Sequence, residues 1–121
     1  MDPLRRCRHL AAAIDQLVAR TDAPAGSAFV VADAEAYEPT GTFDLMVFNE
    51  SLYYFTEPAD AVQRYARSLT PGGHIVVSTH TASRRARAIL RQLKHRFATV
   101  DETAVSQGAN SWVCTVLKPL E

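Results

Sequence analysis

Short apolar runs alternate with amphipathic stretches along this chain. Ser27–Ala32, Phe43–Phe48 and His74–Ser78 are such runs, and β-branched or aromatic residues make up much of each. Polar, glycine or proline residues bound all of them, which is typical of strands buried on both faces of a sheet. The sequence therefore predicts three strands that suit a parallel sheet.

Apolar residues at helical spacing precede and separate these strands. A first helix is predicted over about residues 4–20, a second begins at Thr56-Glu57-Pro58 and ends at Pro71-Gly72-Gly73, and a third follows His74–Ser78. Proline is tolerated in the first turn of a helix, and a Pro-Gly-Gly run ends one. The residues predicted to face inward are Leu10, Ile14, Leu17 and Val18 in the first helix, Ala61, Val62, Tyr65, Ala66 and Leu69 in the second, and Ala86, Ile89, Leu90, Leu93 and Phe97 in the third.

The chain ends in two strand-like segments, at about 97–105 and 111–118, which the turn-forming Ser106-Gln107-Gly108-Ala109 joins as a hairpin. Strands that alternate with helices predict an α/β fold with a mostly parallel sheet, to which this hairpin adds an antiparallel edge. The pattern indicates about five strands and three helices. A single domain over residues 1–121 is expected from this length.

Polar side chains follow each of the internal strands. In open α/β sheets ligands bind outside the carboxyl ends of the strands. The candidate site residues therefore lie in Asp33-Ala34-Glu35, Asn49-Glu50-Ser51 and Thr79-His80-Thr81.

Composition narrows the class of partner. Thirteen basic residues balance thirteen acidic ones, so global charge attracts neither nucleic acid nor an anionic membrane. Cys7 and Cys114 lie far apart and form no metal-ligand cluster with histidines, which favours reduced thiols in a cytoplasmic protein and predicts no metal site. We also expect no signal peptide and no membrane span.

Three segments together resemble one known family. Phe29–Glu35 is similar to the third-strand motif of class I S-adenosylmethionine-dependent methyltransferases, Phe43–Phe55 resembles the fourth strand with its following loop, and Leu69–Ser78 resembles the fifth with its L-x-P-G-G entry. The resemblance covers roughly residues 8 to 118, the C-terminal two-thirds of the family's domain. Glu50–Tyr54 also resembles nodulation-type N-methyltransferases.

The resemblance implies a truncated Rossmann-like methyltransferase sheet, part of the family order 3-2-1-4-5-7-6, and S-adenosylmethionine as cofactor. It implies methyl transfer to nitrogen or oxygen of a small molecule, without metal. By position it assigns roles to residues as follows: Asp33 and Ala34 to the adenine, Asn49 and Leu52 to the rest of the cofactor, Glu50 and His80 to catalysis, and Tyr53 and Tyr54 to the substrate.

The chain departs from the family at the glycine-rich loop. None of its five glycines forms a G-x-G-x-G motif, and the family's first two strands are not present, so cofactor binding is expected to be weak or lost. Structural roles compete with the functional ones: a capping role for Asp33, a solvated loop for Asn49 and Glu50, a structural role for His80, and core packing for the aromatic side chains.

Two functions therefore remain open, an enzyme and a non-catalytic methyltransferase remnant that acts as an interaction module. The remnant reading rests on Leu45–Phe48, an apolar edge that needs a partner. Three arrangements would cover that edge: Ser27–Ala32 pairing beside it, a second copy of the chain in a homodimer, or a separate complementing chain. An incomplete gene model with an upstream start is a third possibility.

The basic stripe formed by Arg84, Arg87, Arg91 and Lys94 is either a solvated face or a site for an acidic partner or a phosphorylated substrate.

Overall fold

The computed structural model describes residues 25–120 of the chain. The helix predicted over about residues 4–20 lies outside the described residues. Residue contacts divide the chain into two compact units, Met1–Tyr37 and Glu38–Glu121. No helix within the described range is long and apolar enough to cross a bilayer.

The described part of the first unit is an irregular segment. The strand predicted over Ser27–Ala32 is not formed, and Phe29, Val30 and Val31 are 39%, 58% and 41% exposed. A strand forms only where a neighbouring strand pairs with its backbone N–H and C=O groups, and this stretch has no such partner within the described residues. Its β-branched residues favour a strand, but no packing partner stabilises one here.

The second unit contains an α/β arrangement, which confirms the predicted class. In chain order its elements are β1 (Phe43–Asn49), a 3-10 turn (Leu52–Tyr54), α1 (Pro58–Ala66), β2 (Leu69–His80), α2 (Arg84–Arg96), β3 (Phe97–Gln107) and β4 (Asn110–Pro119). Among the described residues the sheet has four strands in the order β1-β2-β4-β3. The β1–β2 pair is parallel, whereas β4 is antiparallel to both β2 and β3. This order corresponds to strands 4-5-7-6 of the expected family sheet.

Local sequence explains where α1 and α2 begin. Pro58 occupies the first turn of α1 together with Asp60, whose charge suits a helix N-terminus. The Ser83 hydroxyl caps α2 by accepting a hydrogen bond from the Ala86 N–H at 3.1 Å. Leu69, predicted on the face of the second helix, is instead the first residue of β2, because α1 ends at Ala66.

Strand β2 begins before the predicted run, so that Pro71-Gly72-Gly73 lies inside it. A Cβ at Gly73 would lie 3.0 Å from the Thr70 carbonyl oxygen and 3.2 Å from that of Asp44. A side chain at this position would therefore crowd the backbone where β2 passes the start of β1, which favours glycine there. The Thr70 hydroxyl also donates to the Asp44 carboxylate at 2.7 Å, which ties the two strands together.

The hydrophobic core lies between the helices and one face of the sheet. Register places Phe48 beside Val77, and Val77 beside Thr115, in one row on that face. The hydrophobic core residues with at most 1% exposure are Val62, Ile75, Val77, Ala86, Leu93, Phe97 and Leu117. The opposite face is less covered, since Leu45 and Val47 of β1 are 55% and 59% exposed.

The predicted hairpin is confirmed, with a tighter turn than the sequence suggested. Gln107 pairs with Asn110, so only Gly108 and Ala109 connect β3 to β4. Gly108 has φ +62°, as the first central residue of a type II′ turn requires. The hairpin brings the start of β4 to the carboxyl end of β2.

Candidate active site

The loop after β1 contains a strained backbone position. Glu50 has φ +48°, in the left-handed region that side chains with a Cβ rarely adopt. Its N–H donates to the Ser78 carbonyl of β2 at 3.0 Å, which holds the loop against the neighbouring strand. Asn49, directly before it, ends β1 and is exposed. The chain therefore turns sharply where the sequence placed two of its candidate residues.

Trp112 fixes the Glu50 side chain. The Trp112 Nε1–H donates to Glu50 Oε1 at 2.7 Å, a short contact typical of a charged acceptor. Trp112 is also the register partner of His80, and their rings meet edge to face with centroids 5.4 Å apart. Glu50, His80 and Trp112 thus form one cluster at the carboxyl ends of β1 and β2, with Trp112 as its centre.

His80 is hydrogen-bonded at both ring nitrogens. The Ala82 N–H donates to Nδ1 at 3.3 Å, which requires a lone pair there in this arrangement. Nε2 then carries the proton and faces Asn110 Oδ1 at 3.3 Å. In this arrangement His80 is a neutral hydrogen-bond donor toward Asn110. Taking a proton from a substrate would require it to give up one of these contacts.

Tyr53 and Tyr54 lie side by side in the 3-10 turn, with ring centroids 4.5 Å apart. Tyr54 is 67% exposed, whereas Tyr53 packs partly against the core. A hydrogen bond with Tyr54 raises the pKa of the Tyr53 phenol above its usual range, and burial and nearby negative charge act in the same direction. The Tyr53 hydroxyl therefore keeps its proton and is tied to the exposed Tyr54.

Arg85 of α2 holds the 3-10 turn Leu52–Tyr54 in place. Its Nε donates to the Tyr53 carbonyl at 3.1 Å, and its Nη2 donates to the Phe55 carbonyl. Leu52, at the start of the turn, is 2% exposed and packs in the hydrophobic core. Core packing of Leu52 and the hydrogen bonds from Arg85 of α2 thus hold this aromatic turn in place.

Asp33 and Ala34 lie in the first unit, where Asp33 organises a turn. The Asp33 carbonyl accepts the N–H groups of Ala36 and Tyr37 at 3.0 and 2.8 Å. Its carboxylate Oδ1 accepts the Glu35 N–H at 3.0 Å. This is the capping role set against the adenine role in the sequence, and it uses one of the two carboxylate oxygens.

The sequence pointed to Glu50 and His80 but not to Asn110 and Trp112, the residues that contact them. The only signal was indirect: Trp112 is the single tryptophan of the chain and opens a predicted strand. Its contact with Glu50 depends on the register between β2 and β4, which pairs His80 with Trp112.

The sequence matches the family model of a methyltransferase domain over residues 1–109. The chain belongs to this family.

Nodulation protein S of Rhizobium tropici is 40% identical over 67 residues, which cover 53% of this chain and 28% of that protein. The N-methyltransferase NodS of Bradyrhizobium japonicum WM9, crystallised with S-adenosyl-L-homocysteine, aligns with a TM-score of 0.64 at 24% identity and covers 76% of this chain and 54% of NodS. The [4+2]-cyclase SpnF aligns with a TM-score of 0.70 at 19% identity and covers 94% of this chain and 64% of SpnF. The chain therefore spans less than two-thirds of each of these methyltransferase-fold relatives.

Proposed function

We propose that this chain forms the acceptor side of an S-adenosylmethionine-dependent methyltransferase site that acts on a small molecule. The observation that carries the proposal is the Glu50 carboxylate, which Trp112 holds at 2.7 Å at the carboxyl ends of β1 and β2. That edge of a parallel pair is where α/β folds bind their ligands. A carboxylate fixed by a donor there can orient an acceptor group.

The residues of this chain fit part of the proposed cofactor. By their positions in the family motifs, Asp33 and Ala34 would hold the adenine and Asn49 would lie beside the remainder, whereas Leu52, whose side chain is buried in the core, would contribute there only through its backbone. An ionised carboxylate suits the adenine amino group because it offers only acceptors, and the Glu35 N–H uses only one of its oxygens. None of the glycines stands in a G-x-G-x-G loop, so the segment that normally accommodates the methionine part has no counterpart in these 121 residues.

The bound cofactor would supply an electrophilic methyl group, and the protein residues would align the acceptor. Direct displacement at a methyl carbon depends mainly on proximity and alignment of the nucleophile. Glu50 would hold the proton that an amine acceptor loses, while Tyr53 and Tyr54 would form a wall of the pocket. His80 would serve as a second donor or proton carrier only after giving up its contact with Asn110 or with the Ala82 N–H.

Nitrogen is the acceptor atom we favour. A carboxylate beside exposed aromatic rings suits a cationic amine better than a neutral hydroxyl, because ring faces and carboxylates both attract positive charge. The name of one relative points the same way, since NodS of Bradyrhizobium japonicum is called an N-methyltransferase. The fold alone does not decide the chemistry, since the [4+2]-cyclase SpnF shares it.

Calorimetric titration of the chain with S-adenosylhomocysteine tests the cofactor part of this proposal. Saturable binding with a Kd below about 100 μM is the expected result. Asp33→Ala should weaken that binding, whereas Asp33→Asn, which keeps an acceptor oxygen, should weaken it less. Heat signals indistinguishable from dilution at millimolar ligand would contradict cofactor binding by this chain and leave the interaction function below.

A second function, that of an interaction module, has an observation of its own in β1. Among the described strands, β1 pairs only with β2, and its apolar side chains Leu45 and Val47 are 55% and 59% exposed. An exposed apolar edge strand is a template for pairing with another chain. Because Ser27–Ala32 forms no strand, a second copy or a complementing chain is the covering we propose for this edge.

Light scattering on the purified chain, compared with a Val47→Lys variant, tests this second function. We expect a dimer that the charged side chain dissociates, since lysine on an edge strand opposes pairing. A monomer at all concentrations would contradict homodimerisation.

We also propose a cytoplasmic location for the protein. The free thiol of Cys114 supports a reducing compartment.

A further inference from the structure

A cavity of about 260 Å³ lies between α2 and the face of the sheet that carries the core. It is lined by residues of the sheet and of α2, namely Thr79, Thr81, Glu102 and Val113 on the sheet side and Arg87, Leu90, Arg91 and Lys94 on the helix side. Thr79 and Val113 directly adjoin His80 and Trp112, and successive residues of a strand point to opposite faces. The cavity is therefore on the other side of the sheet from the Glu50–Trp112–His80 cluster.

The helix side of this cavity carries an excess of positive charge. Lys94 forms an ion pair with Glu102 at 2.6 Å, and the Thr115 hydroxyl donates to the same carboxylate at 2.9 Å. Glu102 is thus ionised and neutralises Lys94. Two guanidinium groups remain, those of Arg87 and Arg91.

These two arginines keep donors that no described residue accepts. Arg87 donates through Nη1 to the Thr81 carbonyl, which positions the side chain, and it forms no ion pair within residues 25–120. Arg91 has no ion-pair or hydrogen-bond partner among residues 25–120. Guanidinium groups bind carboxylate and phosphate oxygens with several N–H groups at once.

The floor of the cavity is apolar by contrast. Leu90 is half-buried there, Val113 faces the helix, and the Thr79 hydroxyl already donates to the Val113 carbonyl at 3.4 Å. The floor therefore offers hydrocarbon surface, while the rim offers cationic donors. A volume of about 260 Å³ lies below the usual range for small-molecule sites, which limits the occupant to a compact one.

From this arrangement we infer that the α2–sheet cavity is a binding site for a small organic anion, a carboxylate or phosphate ester that carries a short apolar chain. The apolar chain lies on Leu90 and Val113, and the anionic head contacts Arg91 and Arg87. The site is separate from the proposed methyl-transfer site and does not depend on it. It also gives a function to the basic stripe of α2.

The test is an NMR titration of the ¹⁵N-labelled chain with octanoate and with octyl phosphate, followed at the amides of Thr79, Leu90 and Val113. Octanol and inorganic phosphate, which each carry one half of the ligand chemistry, are run beside them. We expect saturable shifts with the two amphiphilic anions and only weak shifts with either half alone. Tighter binding of octyl phosphate than of octanoate would identify a phosphate ester as the preferred head, and the reverse order a carboxylate.

Arg91→Gln and Arg84→Gln form a matched pair of variants, because both arginines lie on α2 but only Arg91 lines the cavity. Arg91→Gln should weaken binding about tenfold, the effect of losing one charge-assisted contact, and Arg84→Gln should leave it unchanged. Equal losses in the two variants, octanol binding as tightly as the anions, or shifts confined to other residues would each overturn the inference.

Discussion

Trp112 and Glu50 lie 62 positions apart in the sequence, yet the indole N–H of one donates to the carboxylate of the other at 2.7 Å. The contact joins the first residue after β1 to the third residue of β4, across the end of β2. It therefore exists only when the parallel and antiparallel halves of the sheet are both formed. A local loop and a distant strand become one site through it.

We expect this hydrogen bond to contribute about 1 kcal/mol to stability, as is usual for a single intramolecular bond in partly exposed surroundings. A double-mutant cycle with Trp112→Phe and Glu50→Ala, measured by urea unfolding, isolates the free energy of this hydrogen bond. Phenylalanine keeps an aromatic ring for His80 while removing the donor and part of the indole surface, and the cycle cancels the packing loss that the two Trp112→Phe variants share. Losses that simply add in the double variant would show that the contact contributes nothing.

The backbone at Glu50 predicts a difference between two variants that both lack the carboxylate. At φ +48° alanine retains the steric cost of a Cβ, whereas glycine does not. Glu50→Gly should therefore be more stable than Glu50→Ala by about 1 kcal/mol. Thermal unfolding of the pair measures this directly, and a more stable alanine variant would indicate that the loop relaxes out of the left-handed region.

The elements that local sequence could specify were predicted well. β1, the two helices and the hairpin each carry their own signal, such as the apolar spacing of Ala86, Ile89 and Leu93 or the glycine of the turn. The Ser27–Ala32 strand was predicted from an equally good pattern and is wrong, because a strand also needs a partner. The composition of a segment shows that it suits a strand, but it does not show that a neighbouring strand is present to pair with it.

The candidate site was predictable in part for the same reason. Asn49, Glu50 and His80 follow predicted strands, so their place at one edge of the sheet could be inferred from the parallel pairing of β1 and β2. Trp112 and Asn110 reach that edge through the antiparallel register of β4. That register is a non-local property, which pattern along the chain does not determine.

Arg85 is predicted to stabilise the aromatic turn through backbone carbonyls. Arg85→Met removes the donors to the Tyr53 and Phe55 carbonyls, so amide hydrogen exchange over residues 52–55 should accelerate and stability should fall by about 1–2 kcal/mol. Arg84→Met, an exposed neighbour on the same helix, is the control and should change neither quantity. Identical behaviour of the two variants would mean that the turn is held by packing alone.

The ion pair between Lys94 and Glu102 predicts a dependence of stability on acid pH. The hydrogen bond from Lys94 is the main cause that lowers the pKa of the Glu102 carboxyl; burial, the next largest effect, opposes it, and the hydrogen bond from Thr115 lowers the pKa further. A carboxyl whose pKa is lowered by folding stabilises the native state above its ordinary pKa, and that contribution is lost as pH falls through the lowered value. The two side chains are 36% and 38% exposed, so the contribution should stay below about 1 kcal/mol because water screens the pair. The free energies of urea unfolding of the wild type and Glu102→Gln should differ at pH 7 and converge as the pH falls through the lowered pKa of Glu102, whereas Glu38→Gln, an exposed control, should show no such convergence. A gap that persists undiminished in acid would assign the effect of Glu102 to packing or to the neutral Thr115 contact instead of to its charge.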